Sequence, residues 1–139
     1  MYFFTLCMPF SVLPDCTTFS FFEQAEEIID IGYPDQLTDE LIDTIAAEPK
    51  ICKYIDMPIQ HCSDTILKAM RRRETHAGLL ALMEKLRARI PGVVLRTSLI
   101  TGLPYEDEAA FEELCEFLRE ARIERVGVFP FSPEEGTPA

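Results

Sequence analysis

A chain of 139 residues, 47 % of them hydrophobic, has the size and composition of one globular domain with a real core, which excludes a disordered or low-complexity protein. Its formal net charge of −11 makes general nucleic-acid binding a poor default. The charge is uneven: ten acidic residues precede the first base, Lys50, whereas residues 65–96 hold eight basic residues against two acidic ones.

Residues 1–25 form an apolar segment with Phe3, Phe4, Phe10, Phe19, Phe21 and Phe22, and no structural unit is assigned to it. It lacks a basic leader, and Pro9, Pro14 and Asp15 interrupt it, so neither a secretory signal nor a membrane span of roughly 18 apolar residues is expected. A cytoplasmic location follows as the expectation. The five cysteines, Cys7, Cys16, Cys52, Cys62 and Cys115, are widely spaced without a C-x-x-C pair, which fits reduced, mostly buried thiols.

From residue 26 the elements follow in order. "EEIIDIGYP" (26–34) can supply a strand. "TDELIDTIAA" (38–47) puts Leu41, Ile42 and Ile45 on one helical face, with Thr38 as N-cap and acids in the first turn. "KYIDMPI" (53–59) is a short buried strand with Pro58 near its exit. "SDTILKAM" (63–70) is helical. "HAGLLALMEKLRARI" (76–90) spaces Leu79, Leu82, Met83, Leu86 and Ile90 as a second helical face before a Pro-Gly stop. "VVLRTSLIT" (93–101) is strand-like. Asp107 can cap a helix whose face is Phe111, Leu114, Cys115 and Leu118, and "RVGVFPF" (125–131) is the last strand. Strands alternating with amphipathic helices mean right-handed crossovers and a parallel sheet. The fold class is therefore α/β. The chain stops directly after a strand with no covering helix, which reads as part of a larger architecture.

Parallel α/β sheets place ligands at the carboxyl ends of their strands. Three such ends here are polar: "QHCSD" (60–64), "TGLPYEDE" (101–108) and "SPEEGTPA" (132–139). Gln60 and His61 thus belong to a candidate rim. Cys62 beside His61 is not read as a metal ligand, because neighbours on a strand end point apart. If "YIDMPIQ" and "VLRTSLI" are parallel neighbours, Asp56, Pro58 and Gln60 share one face, as do Arg96, Ser98 and Ile100. Asp56 and Arg96 then face the interior, where a lone charge is costly and pairing is expected.

The stretches "YIDMPIQHCSDTILKAMRR", "LRTSLITGLPYEDEAAFEEL" and "RVGVFPFSPEEGTPA" resemble the radical S-adenosylmethionine domain of the methylthiotransferases. "PIQH" and the last stretch are closer to the RimO type, which modifies an aspartate of ribosomal protein S-twelve, than to the tRNA-modifying MiaB type, the alternative. The resemblance covers residues 26–139 and implies about half of a parallel (β/α) barrel, TIM-like in architecture. It also implies S-adenosylmethionine and 4Fe-4S clusters as the family's cofactors. By that resemblance Gln60, His61, Ser98, Ile100, Gly102, Glu106 and Ser132 are expected to face the S-adenosylmethionine pocket, with Ile100 against the adenine and Gly102 allowing close backbone approach, and Arg96, placed there by alternation and oriented by Asp56 or a nearby acid, is expected to meet the carboxylate. Glu106 could orient a ligand, although capping of the next helix is the simpler role.

The departures matter as much. The C-x-x-x-C-x-x-C loop that holds the family's cluster is absent from the sequence. No cluster and no independent catalysis are expected of this chain, and a non-catalytic binding module is the rival reading. "GLPYEDE" carries Tyr105 where the family has glycine, which puts the turn geometry in question. Arg71, Arg72 and Arg73 suit a helix C-terminus more than contact with RNA or an acidic substrate. Direct nucleic-acid binding is not expected, whereas self-association through exposed barrel edges is.

Overall fold

A computed structural model describes residues 27–133. Residues 1–26 and 134–139 lie outside it, and with them the expectations attached to the phenylalanine-rich segment and to the closing loop. The described residues form β1 (Glu27–Asp30), α1 (Asp39–Ala47), β2 (Ile51–Asp56), α2 (Asp64–Ala69), α3 (His76–Arg89), β3 (Val94–Thr101), α4 (Glu108–Ala121) and β4 (Arg125–Pro130). The four strands make one parallel sheet in the order β1-β2-β3-β4. Neighbours in space are neighbours in sequence, so crossovers of one hand bring every helix to the same face. This is barrel topology rather than a doubly wound sheet.

Local chemistry sets the element ends. Thr38, Thr75 and Asp107 each accept a hydrogen bond from a backbone N–H of the helix that follows, at 3.2, 3.2 and 2.8 Å. Lys53 on β2 donates from Nζ to the carbonyls of Ile45 and Glu48 at the end of α1, where a cation meets the negative helix terminus. The helix α2 ends in a Schellman turn: Arg71 takes φ 57°, its N–H donates to Lys68 O, and the Arg72 N–H donates to Leu67 O. Arg87 of α3 reaches the Ala121 carbonyl at 3.2 Å and pairs with Glu124 at 2.7 Å. Glu124 Oε2 in turn accepts from the Leu95 N–H at 2.9 Å, tying the helix layer to the start of β3.

The core lies between the sheet and the helices. Ile55, Met57, Ile59, Leu95 and Leu99 are buried there against Ile42 and Ile45 of α1, Leu79, Met83 and Leu86 of α3, and Leu114 and Phe117 of α4. On α4 the buried face is Leu114, Phe117 and Ala121, one step around from the expected one, and Phe111 is 43 % exposed. The two faces share Leu114, and the fully buried Phe117 ring takes the central position. The strand expected over 53–59 begins at Ile51 and loses its regular ladder after Asp56, because Pro58 has no N–H to give.

The opposite face of the sheet carries no helix among the described residues. Its cross-strand rows follow from the register. Asp30, Asp56, Arg96 and Arg125 are aligned, then Ser98 with Gly127, then Ile100 with Phe129. Asp56, Arg96, Ser98 and Ile100 on this face are only partly buried.

Candidate functional site at the strand ends

The rim begins with a backbone irregularity. Beyond Asp56 the chain runs through Pro58 to Gln60, which forms an isolated parallel bridge with Leu99. The Gln60 N–H donates to Ser98 O at 3.0 Å, and the Ile100 N–H donates to Gln60 O at 2.9 Å. Gln60 holds φ 69°, a left-handed conformation that costs a side-chain-bearing residue about 1–2 kcal/mol. Such strain concentrates at ligand-binding positions. Thr97 secures the irregular segment from the covered side. It is 1 % exposed; its hydroxyl donates to Met57 O at 2.8 Å and accepts from the Ile59 N–H at 3.1 Å. Gln60, Ser98 and Ile100 are thereby brought together at one strand-end edge.

His61 lies elsewhere than an open rim would put it. It is 0 % exposed, and its Nδ1 accepts the Ser63 N–H at 3.0 Å just before α2. That bond places the ring proton on Nε2, which has no protein partner among the described residues. Burial lowers the His61 pKa, opposed by the charges of Glu106 and Glu113. Cys62 is also fully buried, and burial, reinforced by the Glu113 charge, pushes its thiol up to about 12.

The loop after β3 holds its turn despite Tyr105. Tyr105 adopts φ 73° with its ring 82 % exposed, and Gly102 adopts φ 77°. A Cβ at Gly102 would meet nothing within 4 Å, so its glycine answers to the positive φ and not to close approach within this chain. Glu106 braces the same turn: its Oε2 accepts from the Leu103 N–H, and its own N–H donates to Leu103 O, both at 3.0 Å. Asp107, not Glu106, caps α4. Ser132 is exposed after β4, where the Phe131 N–H donates to Thr101 O at 2.7 Å.

Arg96 and Asp56 are paired, as alternation requires. Arg96 sits four residues before Ile100 on the same face, about 13 Å along the strand. Its guanidinium extends toward Gly127, where a Cβ would lie 3.7 Å from Nη2 and 3.5 Å from the Phe129 ring. A separate groove of about 430 Å³, which shares no residue with this rim, lies between Tyr33, Asp35 and Gln36 on one side and Arg71, Arg72, Arg73 and Glu74 on the other. Arg72 stacks over Tyr33 there at 5.1 Å.

Thr97 is the site-shaping residue that sequence reasoning passed over. Its signal was available, since alternation puts a hydroxyl between Leu95 and Leu99 on the buried face. A hydroxyl in that setting needs a partner.

A sheet of sequentially ordered parallel strands, with helices on one face and a strained polar rim at its strand ends, defines a (β/α)-barrel segment. The chain belongs to the radical SAM superfamily, whose family model matches residues 20–118. It is similar to the ribosomal protein uS12 methylthiotransferase RimO of an Anaeromyxobacter species, at 56 % identity over 108 residues, covering 78 % of this chain and 23 % of that protein. The protein of the same name from Geobacter sulfurreducens is also 56 % identical, over 78 % of this chain and 24 % of its own length. That from Clostridium acetobutylicum is 51 % identical, over 77 % and 24 %. The chain thus spans about a quarter of the length of the curated relatives it matches. Among the described residues no helix is long and apolar enough to cross a membrane.

The two cofactors of the superfamily fit these residues differently. An iron–sulfur cluster needs converging thiolates. The described cysteines are Cys52, Cys62 and Cys115, and these three thiols do not converge on one point. A cluster does not fit them. The rim does suit S-adenosylmethionine: Gln60 and Ser98 offer hydrogen-bonding groups beside the apolar Ile100, on a face that no helix covers among the described residues.

Proposed function

We propose that residues 26–139 form the second half of the barrel of a RimO-type methylthiotransferase and supply one wall of its S-adenosylmethionine pocket, residues 1–25 being a separate segment. The observation that carries this reading is Gln60, held at φ 69° beside Ser98 and Ile100 by main-chain bonds and the buried Thr97 hydroxyl. Identity of 51–56 % to RimO proteins supports it from the sequence side. S-adenosylmethionine, when bound, supplies the methyl group. Ile100 packs against the flat adenine, while Gln60 and Ser98 hydrogen-bond its polar edges. Arg96, oriented by Asp56, meets the carboxylate. Glu106 and Gly102 hold the neighbouring loop in shape, and Ser132 closes the mouth. His61 acts from behind, fixing the turn that carries Gln60. The substrate on this reading is an aspartate of ribosomal protein uS12. The chain alone holds no cluster and is not catalytically competent, for want of the three-cysteine loop. Val128 and Phe129, exposed on β4, favour association with a second surface.

The test replaces the matching segment of the Geobacter sulfurreducens relative with residues 26–139. The chimera is expected to methylthiolate uS12, and Gln60→Ala in it should weaken S-adenosylmethionine binding about tenfold, or about 1.4 kcal/mol, with the fold retained. The isolated chain should assemble no iron–sulfur cluster and release no 5′-deoxyadenosine under reduction. A chimera that folds, carries its clusters and leaves uS12 untouched overturns the reading, as does a cluster on the isolated chain.

A further inference from the structure

Three metal-ligating side chains converge where the β2–α2 connection, the first turn of α3 and the second turn of α4 meet. Cys62 Sγ, a ring nitrogen of His76 and a carboxylate oxygen of Glu113 all lie within 4.8 Å of one another. They come from three separate segments, so the fold, not local sequence, brings them together. The cluster is graded from inside to outside. Cys62 is 0 % exposed and forms the floor, while the His76 and Glu113 side chains are 28 % and 39 % exposed and form the mouth. An entering ion therefore has a path.

The surroundings already fix the ligands. His76 is the first residue of α3, and its N–H donates to Asp64 Oδ1 at 2.7 Å. Its ring stands edge-on to the buried Phe117, 5.3 Å between centroids at 86°. Nδ1 lies 2.8 Å from Glu113 Oε1. Orientation of a ligating imidazole by its neighbours is characteristic of metal sites. Tetrahedral zinc separates such ligand atoms by about 3.3–3.8 Å, given metal–ligand bonds of about 2.0–2.3 Å. The His76–Glu113 pair, at 2.8 Å, must open by about 0.5 Å or more to reach it, and the Cys62 sulfur lies within 4.8 Å of both partners.

One sulfur, one nitrogen and one oxygen exclude calcium and magnesium, which take oxygen ligands, and suit zinc and its borderline neighbours. A thiolate and a carboxylate also balance a divalent charge, so the half-buried site stays neutral when filled. We propose that Cys62, His76 and Glu113 bind one zinc-class divalent cation, with water in the fourth position. The metal forms bonds to sulfur, nitrogen and oxygen; the Cys62 thiol proton leaves to solvent, and the His76–Glu113 hydrogen bond is given up. This site is independent of S-adenosylmethionine and of any cluster, and it pins the loop behind Gln60 to α3 and α4. Cys62 gains its partner not from the adjacent His61 but from a histidine on the next helix.

The purified, reduced, metal-free full chain titrated with Co²⁺ is expected to take up one equivalent. A near-ultraviolet thiolate charge-transfer band should appear together with visible bands of tetrahedral cobalt, and Zn²⁺ should abolish both. Cys62→Ser should remove the thiolate band while the other cysteines remain. His76→Gln and Glu113→Gln should each weaken Zn²⁺ binding about tenfold or more, since even outer contacts to such ligands are worth roughly 10–100-fold. A thiolate band that persists in Cys62→Ser, unchanged affinity in both mouth variants, or no stoichiometric uptake by the native chain would each overturn the site. If Cys62→Ser fails to fold, the two mouth variants decide, because both side chains reach solvent.

Discussion

Thr97 performs a task that main-chain groups perform elsewhere in the sheet. Where Pro58 interrupts the β2 ladder, its hydroxyl takes the Ile59 N–H and gives its own proton to Met57 O. Thr97→Val keeps the volume but strands a buried N–H and a buried carbonyl. We expect a loss of about 1–3 kcal/mol, read as a lowered urea midpoint, whereas Thr97→Ser should lose less. An unchanged midpoint in Thr97→Val would mean that the Ile59 N–H has another partner. At this scale the sequence is unevenly readable. Pairing of Asp56 with Arg96 follows from alternation alone, and both the pair and its register are found. Gln60 does reach Ile100 through the main chain, but it bridges Leu99, one residue out of the register that Asp56 and Arg96 set. The burial of His61 does not follow from alternation, because it depends on the left-handed backbone at Gln60, and a glutamine gives no notice of positive φ.

Elements were legible where caps and periodicity agree. Thr38 and Asp107 announce their helices, and the helices following Thr38, Thr75 and Asp107 start within a residue of expectation. Their faces were read less well where two apolar stripes overlap, as on α4, since only packing decides between Phe111 and Phe117. The turn between β3 and α4 shows how an element can survive an unsuitable residue. Tyr105 sits at φ 73° and is held by the reciprocal Leu103–Glu106 bonds, its ring contributing little burial to offset the strain. Tyr105→Gly should therefore raise stability by about 1 kcal/mol, seen as a higher melting temperature, and Tyr105→Val should lower it. A Tyr105→Gly variant less stable than the parent would show that the exposed ring makes contacts worth more than the strain.

At the scale of the whole molecule, the described residues bury one face of the sheet and leave the other partly open, an asymmetry with a consequence for pH. Folded His61 accepts a proton less readily than in the unfolded chain, whose value is near 6.5. Its contribution is whole above that pH and is lost as pH falls below it. Folded Cys62 retains its proton up to about 12 against an ordinary 9.0, so its contribution is whole below pH 9.0 and is lost as pH rises beyond it. Urea melts of the metal-free chain should show a plateau between these limits, and His61→Gln should flatten the acid side. The parallel α/β sheet was legible from the alternation of strands and helices and its barrel membership only from the family resemblance, whereas the charge row from Asp30 to Arg125 needed the register of all four strands. The strand order has one more effect. Each strand lies beside its successor in the chain, and β2 and β3 alone have a strand on both sides among the described residues. Structure is then lost as layers peel from a stack: β1 can separate with its hairpin-free connection, and β4 can detach on the far side, while β2 and β3 stay joined through Thr97 and the Asp56–Arg96 pair. Amide hydrogen exchange should accordingly be slowest at Leu95–Leu99, faster in β4 and fastest in β1, with exchange of the two outer strands uncoupled from each other. Equal protection across all four strands would mean that the sheet opens only as one cooperative unit.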